Sequence, residues 1–242
     1  MSGCGAKLRE ANSDAPDWTN MKREQNVKHL RDLVQGRIQN AIDIKTALLL
    51  DSQFQDALAH VAMQIVESLR AGGKVIFFGN GGSAADAQHL TAEFTGRYLK
   101  ERRALAALAL STNSSSVTAI GNDYGFDLVF ARQLEALGRE GDVAIGISTS
   151  GNSRNVIRAF EAAKSKSIYT VALTGASGGA MKKVADCTIC VPTDETPRIQ
   201  ECHILAGHII CEIVELAVFE DTEDGSGVKD FVTASSPREK NS

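Results

Sequence analysis

The sequence predicts an α/β protein built on a parallel sheet, and two observations carry this prediction. Short, continuous apolar runs recur at about residues 74–79, 104–110, 142–148, 168–174 and 187–191. Helical or mixed patterns separate them, at about residues 82–98, 114–137, 153–165 and 178–184. Apolar strands that alternate with helices are typical of a parallel sheet covered on both faces. Five such strands with right-handed crossovers predict a flavodoxin-like doubly wound sheet.

Two helices are predicted ahead of the first strand. Apolar residues recur on one stripe over residues 24–50, and a second helix is expected over 54–69, between an Asp51-Ser52 cap and a Gly72-Gly73 break. A minimal sheet does not need both. Two interpretations are therefore open: the helices cover the sheet, or they build a subunit interface.

The last helix is predicted to start near Pro197 and to carry apolar residues through Phe219. The polar, aperiodic residues 1–22 predict a flexible leader, and residues 221–242 predict a disordered acidic and polar tail. Residues 23–220 are expected to form a single domain.

Composition predicts a soluble globular protein, since 43% of the 242 residues are hydrophobic and 23% are charged. The net charge of −4 gives no reason to expect nucleic acid or an anionic membrane as partner. Neither a membrane-spanning run nor a secretory signal is recognisable, so we expect a cytoplasmic protein. Cys187 and Cys190 form a C-x-x-C, but in a strand they point to opposite faces, which favours structural cysteines over a metal or redox site.

Two predicted strand ends carry sequences that suit a phosphorylated ligand. Asn80-Gly81-Gly82-Ser83 follows the first strand and opens a helix, whose N–H groups and dipole favour anions. The second loop, residues 148–153, offers four hydroxyls where a helix cap needs one, from Ser148, Thr149, Ser150 and Ser153. This loop is the stronger phosphate candidate, although it lacks the P-loop lysine. The first loop is then expected to hold the sugar chain near the reacting carbons.

A third polar group, Gly121-Asn122-Asp123, is also predicted to lie at a strand end. Asn122 and Asp123 either contact sugar hydroxyls or make an Asx-type turn.

Candidate metal ligands lie on two helices. His89 and Glu93 stand four apart on one helical face, either as a solvated pair or as functional groups. The last helix adds Gln200, His203 and His208, and such a donor set suits zinc. Gln200 and His208 would be about 12 Å apart on one straight helix. Either the helix starts after Gln200, or the ligands come from different subunits of an oligomer with a shared site.

Four motifs together resemble the SIS (sugar isomerase) domain family and, within it, the bacterial sedoheptulose 7-phosphate isomerases. The motifs are GNGGSAADAQHLTAEFTGRY, TAIGNDYGFDLVF, STSGNSRNV and RIQECHILAGHIICEIVE, and the resemblance covers roughly residues 24–219. It implies a cytoplasmic homotetramer with active sites between subunits and one Zn²⁺ per subunit. It also implies conversion of sedoheptulose 7-phosphate into D-glycero-D-manno-heptose 7-phosphate, the first step of activated-heptose biosynthesis.

The resemblance further implies roles for single residues. Glu93 would be the general base and His208 its acid/base partner. The metal ligands would be His89, Glu93, Gln200 and His208. The phosphosugar would contact Asn80, Gly81, Gly82, Ser83, Glu93, Asn122, Asp123, Ser148, Thr149, Ser150, Ser153 and Gln200.

Two non-enzymatic readings compete with the isomerase. A related SIS protein that binds the bacterial replication initiator shares both ligand loops, but the presence of Glu93 and His208, which proton transfer needs, favours the enzyme. A phosphosugar-sensing regulator would carry a DNA-binding module, which the short polar leader does not resemble.

Overall fold

A computed structural model describes residues 23–219, so the predictions for the leader and the tail fall outside the described residues. Helices and strands alternate as predicted. In chain order they are α1 (Arg23–Leu50), α2 (Ser52–Arg70), β1 (Val75–Gly79), α3 (Gly82–Thr95), β2 (Ala107–Ala109), α4 (Ser114–Tyr124), α5 (Ala131–Leu137), β3 (Val143–Ile147), α6 (Arg154–Lys164), β4 (Tyr169–Thr174), β5 (Cys187–Cys190) and α7 (Thr196–Phe219). Single 3₁₀ turns lie at Phe126–Leu128 and Met181–Lys183.

The five strands form one parallel sheet in the order β2-β1-β3-β4-β5. This is the flavodoxin-like order, so the predicted fold class is confirmed. Val75 of β1 pairs with Ala107 on one side and with Val143 on the other. Because all strands run the same way, the loops that follow β1 and β3 leave from the same edge of the sheet.

Apolar side chains cover both faces of the sheet, as neighbouring residues of β1 illustrate. Phe77 faces the core that includes α2, α3 and α7, where its ring lies 5.8 Å from that of Phe94. Phe78 points to the other face, 5.7 Å from the ring of Phe160 on α6. Because successive side chains of a strand point to opposite faces of the sheet, the residues of β1 contribute to both cores.

The two N-terminal helices behave differently. Side chains of α2 such as Leu58 and Ile65 are buried in the core, so α2 covers the sheet. Among the described residues, 44–219 form a compact unit, while the α1 residues through Asp43 form a unit of their own. Along that part of α1, six apolar side chains are 45–57% exposed: Val27, Leu30, Leu33, Val34, Ile38 and Ile42.

One predicted strand was too long: the strand expected over 104–110 shortens to the three residues of β2, which has β1 as its only partner within the described sheet. The helical or mixed segment predicted over 114–137 contains α4 and α5, and Gly125, with a φ of +89°, ends α4. The segment predicted over 178–184 contains only the 3₁₀ turn at Met181–Lys183.

Helix α7 is long and apolar enough to cross a membrane by composition alone, with a mean hydropathy of 1.8 over an 18-residue window. In the fold it contacts α2 and α3, and Ile199, Ile210 and Val214 are buried in the core. Glu215 is also buried, in an ion pair with Arg102. Packing against the core accounts for part of the apolar character of this helix, since 44% of that window is buried.

His203, on α7, is 1% exposed, and its Nε2 donates a hydrogen bond to the Thr174 carbonyl oxygen at 3.1 Å. Burial lowers the pKa of His203 to about 4, and the hydrogen bond to Thr174 opposes this only in part. An unfolded imidazole has a pKa near 6.5. The unfolded state therefore binds more protons between about pH 6.5 and pH 4, and the free energy of unfolding falls as the pH falls through this window.

We predict that His203 accounts for a loss of about 3 kcal/mol of unfolding free energy between pH 7 and pH 4. Urea denaturation at fixed protein concentration, at several pH values, measures the loss. His203→Gln should show a shallower pH dependence than the wild type, whereas His60→Gln, at an exposed histidine, should not. An unchanged pH dependence in His203→Gln would contradict the prediction.

Candidate functional site

His89, Glu93 and His208 form a compact cluster between α3 and α7. One ligand atom from each lies within 4.8 Å of the others. Nε2 of His89 is 2.9 Å from Nε2 of His208 and 3.4 Å from Oε1 of Glu93. His89 is exposed and the other two residues are half-buried, so the cluster is open to a ligand.

A close helix contact brings these residues together. A Cβ atom at Gly207 would lie only 2.6–2.7 Å from the Cδ atoms of the buried Leu90, so a larger residue there would require the Leu90 side chain or the helices to shift. His89 and His208 are the immediate neighbours of Leu90 and Gly207 in sequence. The contact thereby places the two imidazoles side by side within one chain.

The cluster fits a zinc ion. Two imidazoles and a carboxylate are common zinc ligands, and ligand atoms about 2.0–2.1 Å from a tetrahedral zinc lie about 3.3 Å apart. The two separations from His89, 2.9 and 3.4 Å, lie on either side of this value, and all three ligand atoms lie within 4.8 Å of one another. The donor set could therefore hold one divalent metal.

Asp86 adds a carboxyl that the sequence did not single out. Its Oδ2 is buried and has no hydrogen-bond partner among the described residues. Burial raises the pKa of Asp86, and the nearby His89 and His208 imidazoles offset this only in part. It lies one helical turn before His89, so this face of α3 carries two carboxyls and an imidazole.

Gln200 lies on the same helix as His208, and its amide contacts the first residue of α3. Helix α7 begins at Thr196 and includes Gln200, so the idea that the helix starts after this residue is wrong. The Gln200 amide packs directly on Gly82, at a distance that leaves no room for a Cβ there. Gly82 is seven residues before His89, about 10 Å along α3. Gln200 therefore faces the turn Asn80-Gly81-Gly82-Ser83, called the glycine turn below.

In the loop of residues 148–153, called the hydroxyl loop below, the serine hydroxyls converge at the start of α6. Oγ of Ser148 is 2.8 Å from Oγ of Ser153 and 3.4 Å from Oγ of Ser150. Ser153 occupies the N-cap position, yet its side chain does not cap the helix. Thr149 is half-buried, and its carbonyl accepts the Gly175 N–H. Several hydroxyls beside a helix N-terminus without a side-chain cap make a suitable anion site.

The glycine turn and the hydroxyl loop are tied together by an amide pair. Asn80 donates to Oδ1 of Asn155 at 2.9 Å, and Asn155 donates to Oδ1 of Asn80 at 2.8 Å. Asn80 is followed by Gly81, whose φ of +55° turns the chain into α3, and by the buried Ser83. Asn155 was missed because nothing in its local pattern marks it.

Asn122 and Asp123 do not lie at a strand end, so their assignment to one is wrong. They occupy the last turn of α4, about 12 Å along the helix from its first residue. Both are exposed, and the Asn122 amide donates to the Asp123 carboxylate at 2.8 Å. A helical backbone also excludes the Asx-type turn that was one of the two interpretations.

Residues 42–175 match the SIS domain family. Over 192 residues the chain is 50% identical to the phosphoheptose isomerase of Aneurinibacillus thermoaerophilus, covering 79% of this chain and 97% of that protein. It is 58% identical over 162 residues to that of Rhodospirillum rubrum, covering 67% and 86%. The solved structure of the Neisseria gonorrhoeae phosphoheptose isomerase superposes with a TM-score of 0.73 at 44% identity, covering 77% of this chain and 98% of that one. The chain therefore belongs to the phosphoheptose isomerases of the SIS domain family.

Proposed function

We infer that this protein is an aldose–ketose isomerase that converts sedoheptulose 7-phosphate into D-glycero-D-manno-heptose 7-phosphate, the first step of activated-heptose biosynthesis. The observation that carries the inference is the cluster of His89, Glu93 and His208, which combines a carboxylate base with a second proton carrier. The phosphoheptose isomerases to which the chain is 50% and 58% identical support the same reaction.

Isomerisation moves one proton between adjacent carbons. The Glu93 carboxylate removes a proton from C1 of the ketose while the C2 carbonyl oxygen gains one from His208, which gives an enediol. The proton held by Glu93 then returns to C2. At the same time the hydroxyl on C1 gives up its proton to His208, so that C1 becomes the aldehyde and both residues regain their starting states.

The phosphate and the sugar chain are proposed to bind along the two loops that leave the sheet edge. Ser148, Thr149, Ser150 and Ser153 take the phosphate, which orients the substrate from several atoms away. The sugar chain is assigned to Asn80, Gly81, Gly82, Ser83 and Gln200. Asn122 and Asp123, which lie on α4 and not on these loops, are assigned to the sugar by family resemblance alone. For Gln200 the support is its contact with Gly82 at the glycine turn.

We assign one Zn²⁺ per subunit to His89, Glu93 and His208. When bound there, zinc supplies a Lewis acid that polarises the substrate carbonyl. Gln200 is proposed as the fourth ligand on the family resemblance, and its contact with Gly82 at the start of α3 also supports a contact with the substrate.

Incubation of the protein with sedoheptulose 7-phosphate tests the function directly, with the aldose followed by chromatography. We expect aldose formation with zinc present and its loss after treatment with a chelator, followed by recovery when zinc is returned. Absence of aldose with zinc present would favour the non-catalytic, phosphosugar-binding alternative.

Glu93→Gln tests the base. Because the amide cannot accept the C1 proton, we predict that kcat falls at least about 100-fold while the fold is kept. Glu161→Gln is the matched control, since Glu161 is a half-exposed carboxylate paired with Arg158 on α6, and its turnover should stay within about twofold. Undiminished turnover in Glu93→Gln would exclude the proposed mechanism.

Ser153→Ala tests the phosphate loop. Loss of one hydrogen bond to a charged phosphate should raise KM about 10-fold and change kcat less. Ser165→Ala removes an exposed hydroxyl at the other end of α6 and should leave both constants unchanged. Equal KM values for Ser153→Ala and the wild type would remove this loop from the substrate site.

We also propose a cytoplasmic homotetramer with active sites at the subunit interfaces. The exposed apolar side chains of α1 support association, because a stripe of this kind is rarely left in water. Light scattering should give four times the chain mass of 25.8 kDa. Leu33→Glu should lower that mass, whereas Gln35→Glu, which adds the same charge at an exposed polar position of α1, should not. A monomeric wild type would refute the assembly.

A further inference from the structure

A buried ion pair joins the segment after α3 to helix α7. Nε of Arg102 lies 2.6 Å from Oε1 of Glu215, and the two side chains are 3% and 2% exposed. Charged groups are rarely buried this completely unless further hydrogen bonds satisfy them. The partners of each side chain therefore show what the pair holds in place.

Glu215 holds the segment that follows α3. Its carboxylate accepts the backbone N–H groups of Tyr98 at 3.1 Å, Leu99 at 2.8 Å and Lys100 at 2.9 Å. Burial raises the pKa of Glu215, but these N–H groups and the Arg102 side chain together lower the pKa by a larger amount. The pKa of Glu215 therefore lies below its usual range. The carboxylate stays charged and binds this segment to α7.

Arg102 holds the end of α3. Its guanidinium donates to the carbonyl oxygens of Glu93 at 2.7 Å, Phe94 at 3.0 Å and Gly96 at 3.2 Å. The last carbonyls of a helix lack partners within it, and Gly96, with a φ of −88°, does not form the left-handed cap that often satisfies them. The guanidinium takes that role and places a positive charge at the negative end of the helix dipole.

Both ends of this arrangement reach the candidate active site. Arg102 binds the backbone of Glu93 itself, and His89 lies one turn earlier on α3. Glu215 is two helical turns after His208 on α7, about 10 Å along the axis. The ring of Tyr98, whose N–H Glu215 accepts, lies against the His208 ring with centroids 5.8 Å apart and planes tilted by 32°.

We propose that Arg102 and Glu215 are positioning residues that hold Glu93 and His208 at the separation that proton transfer and zinc binding require. The pair acts through the backbone of α3 and the segment packed on His208. This inference rests on the proposed isomerase function for its kinetic part, while its zinc-binding part can be measured without substrate.

A second ion pair with a buried carboxylate provides the control. Nζ of Lys74 lies 2.6 Å from Oδ2 of Asp142, and the two side chains are 23% and 1% exposed. Lys74 directly precedes β1, at the edge of the sheet opposite to the ligand loops. Lys74→Met therefore leaves a buried carboxylate without its cation, as Arg102→Met does, but far from the cluster. Comparing the two variants separates positioning from a general loss of stability.

For Arg102→Met we expect kcat to fall about 10- to 100-fold, the zinc Kd to rise by a similar factor, and KM to change less. Arg102→Lys should recover part of both losses, because it restores the charge. The recovery should be incomplete, because a lysine ammonium cannot span the three carbonyls with one planar group. Lys74→Met should keep the wild-type kcat and zinc Kd. Zinc affinity is measured by competition with a chromophoric chelator, and all values are corrected for the folded fraction from circular dichroism.

Identical kcat and zinc Kd values for Arg102→Met and Lys74→Met would overturn the proposal. If Arg102→Met does not fold, Glu215→Gln decides, since it removes the charge but keeps an oxygen that accepts N–H groups. Its kcat and zinc Kd should shift in the same directions, and wild-type values would again overturn the proposal. A wild type without isomerase activity would refute the proposed function, yet the zinc Kd comparison would still test the positioning role.

Discussion

The contact between Gly207 and Leu90 is the constraint on which the candidate site depends. At this contact α7 packs closely on α3. His89 directly precedes Leu90, and His208 directly follows Gly207. Helix packing at this contact brings Nε2 of His89 and Nε2 of His208 to 2.9 Å. A methyl group at position 207 would have to displace the Leu90 side chain or the two helices, next to the place where the donor atoms converge.

The fold was predictable because its signals are local and repeated. Continuous apolar strands alternating with helices specify a parallel sheet, and the sheet order follows the flavodoxin-like rule. The ligand loops were predictable for a related reason. In a parallel sheet the carboxyl ends share one edge, so polar residues after β1 and after β3 must leave from the same side.

The rest of the site depends on distances between helices, which no sequence pattern encodes. Spacing along α7 predicted that Gln200 and His208 would struggle to reach one metal from a single straight helix, and the structure places both residues on α7. The contact at Gly207 brings His89, Glu93 and His208 together in one chain, while the Gln200 amide packs on Gly82. The sequence does show Glu215 as a charged residue within an apolar helix. Its partner Arg102 is 113 residues away along the chain, so the ion pair itself could not be predicted.

The reciprocal amide pair between Asn80 and Asn155 has a further consequence for how the two ligand loops can evolve. Each side chain is donor and acceptor to the other, so neither amide can rotate alone without bringing two oxygens or two NH₂ groups face to face. An aspartate at either position would lose its donor and set a carboxylate against an amide oxygen. A substitution at one position would therefore cost the other residue its hydrogen bonds, so the turn that leaves β1 and the start of α6 are coupled through this pair.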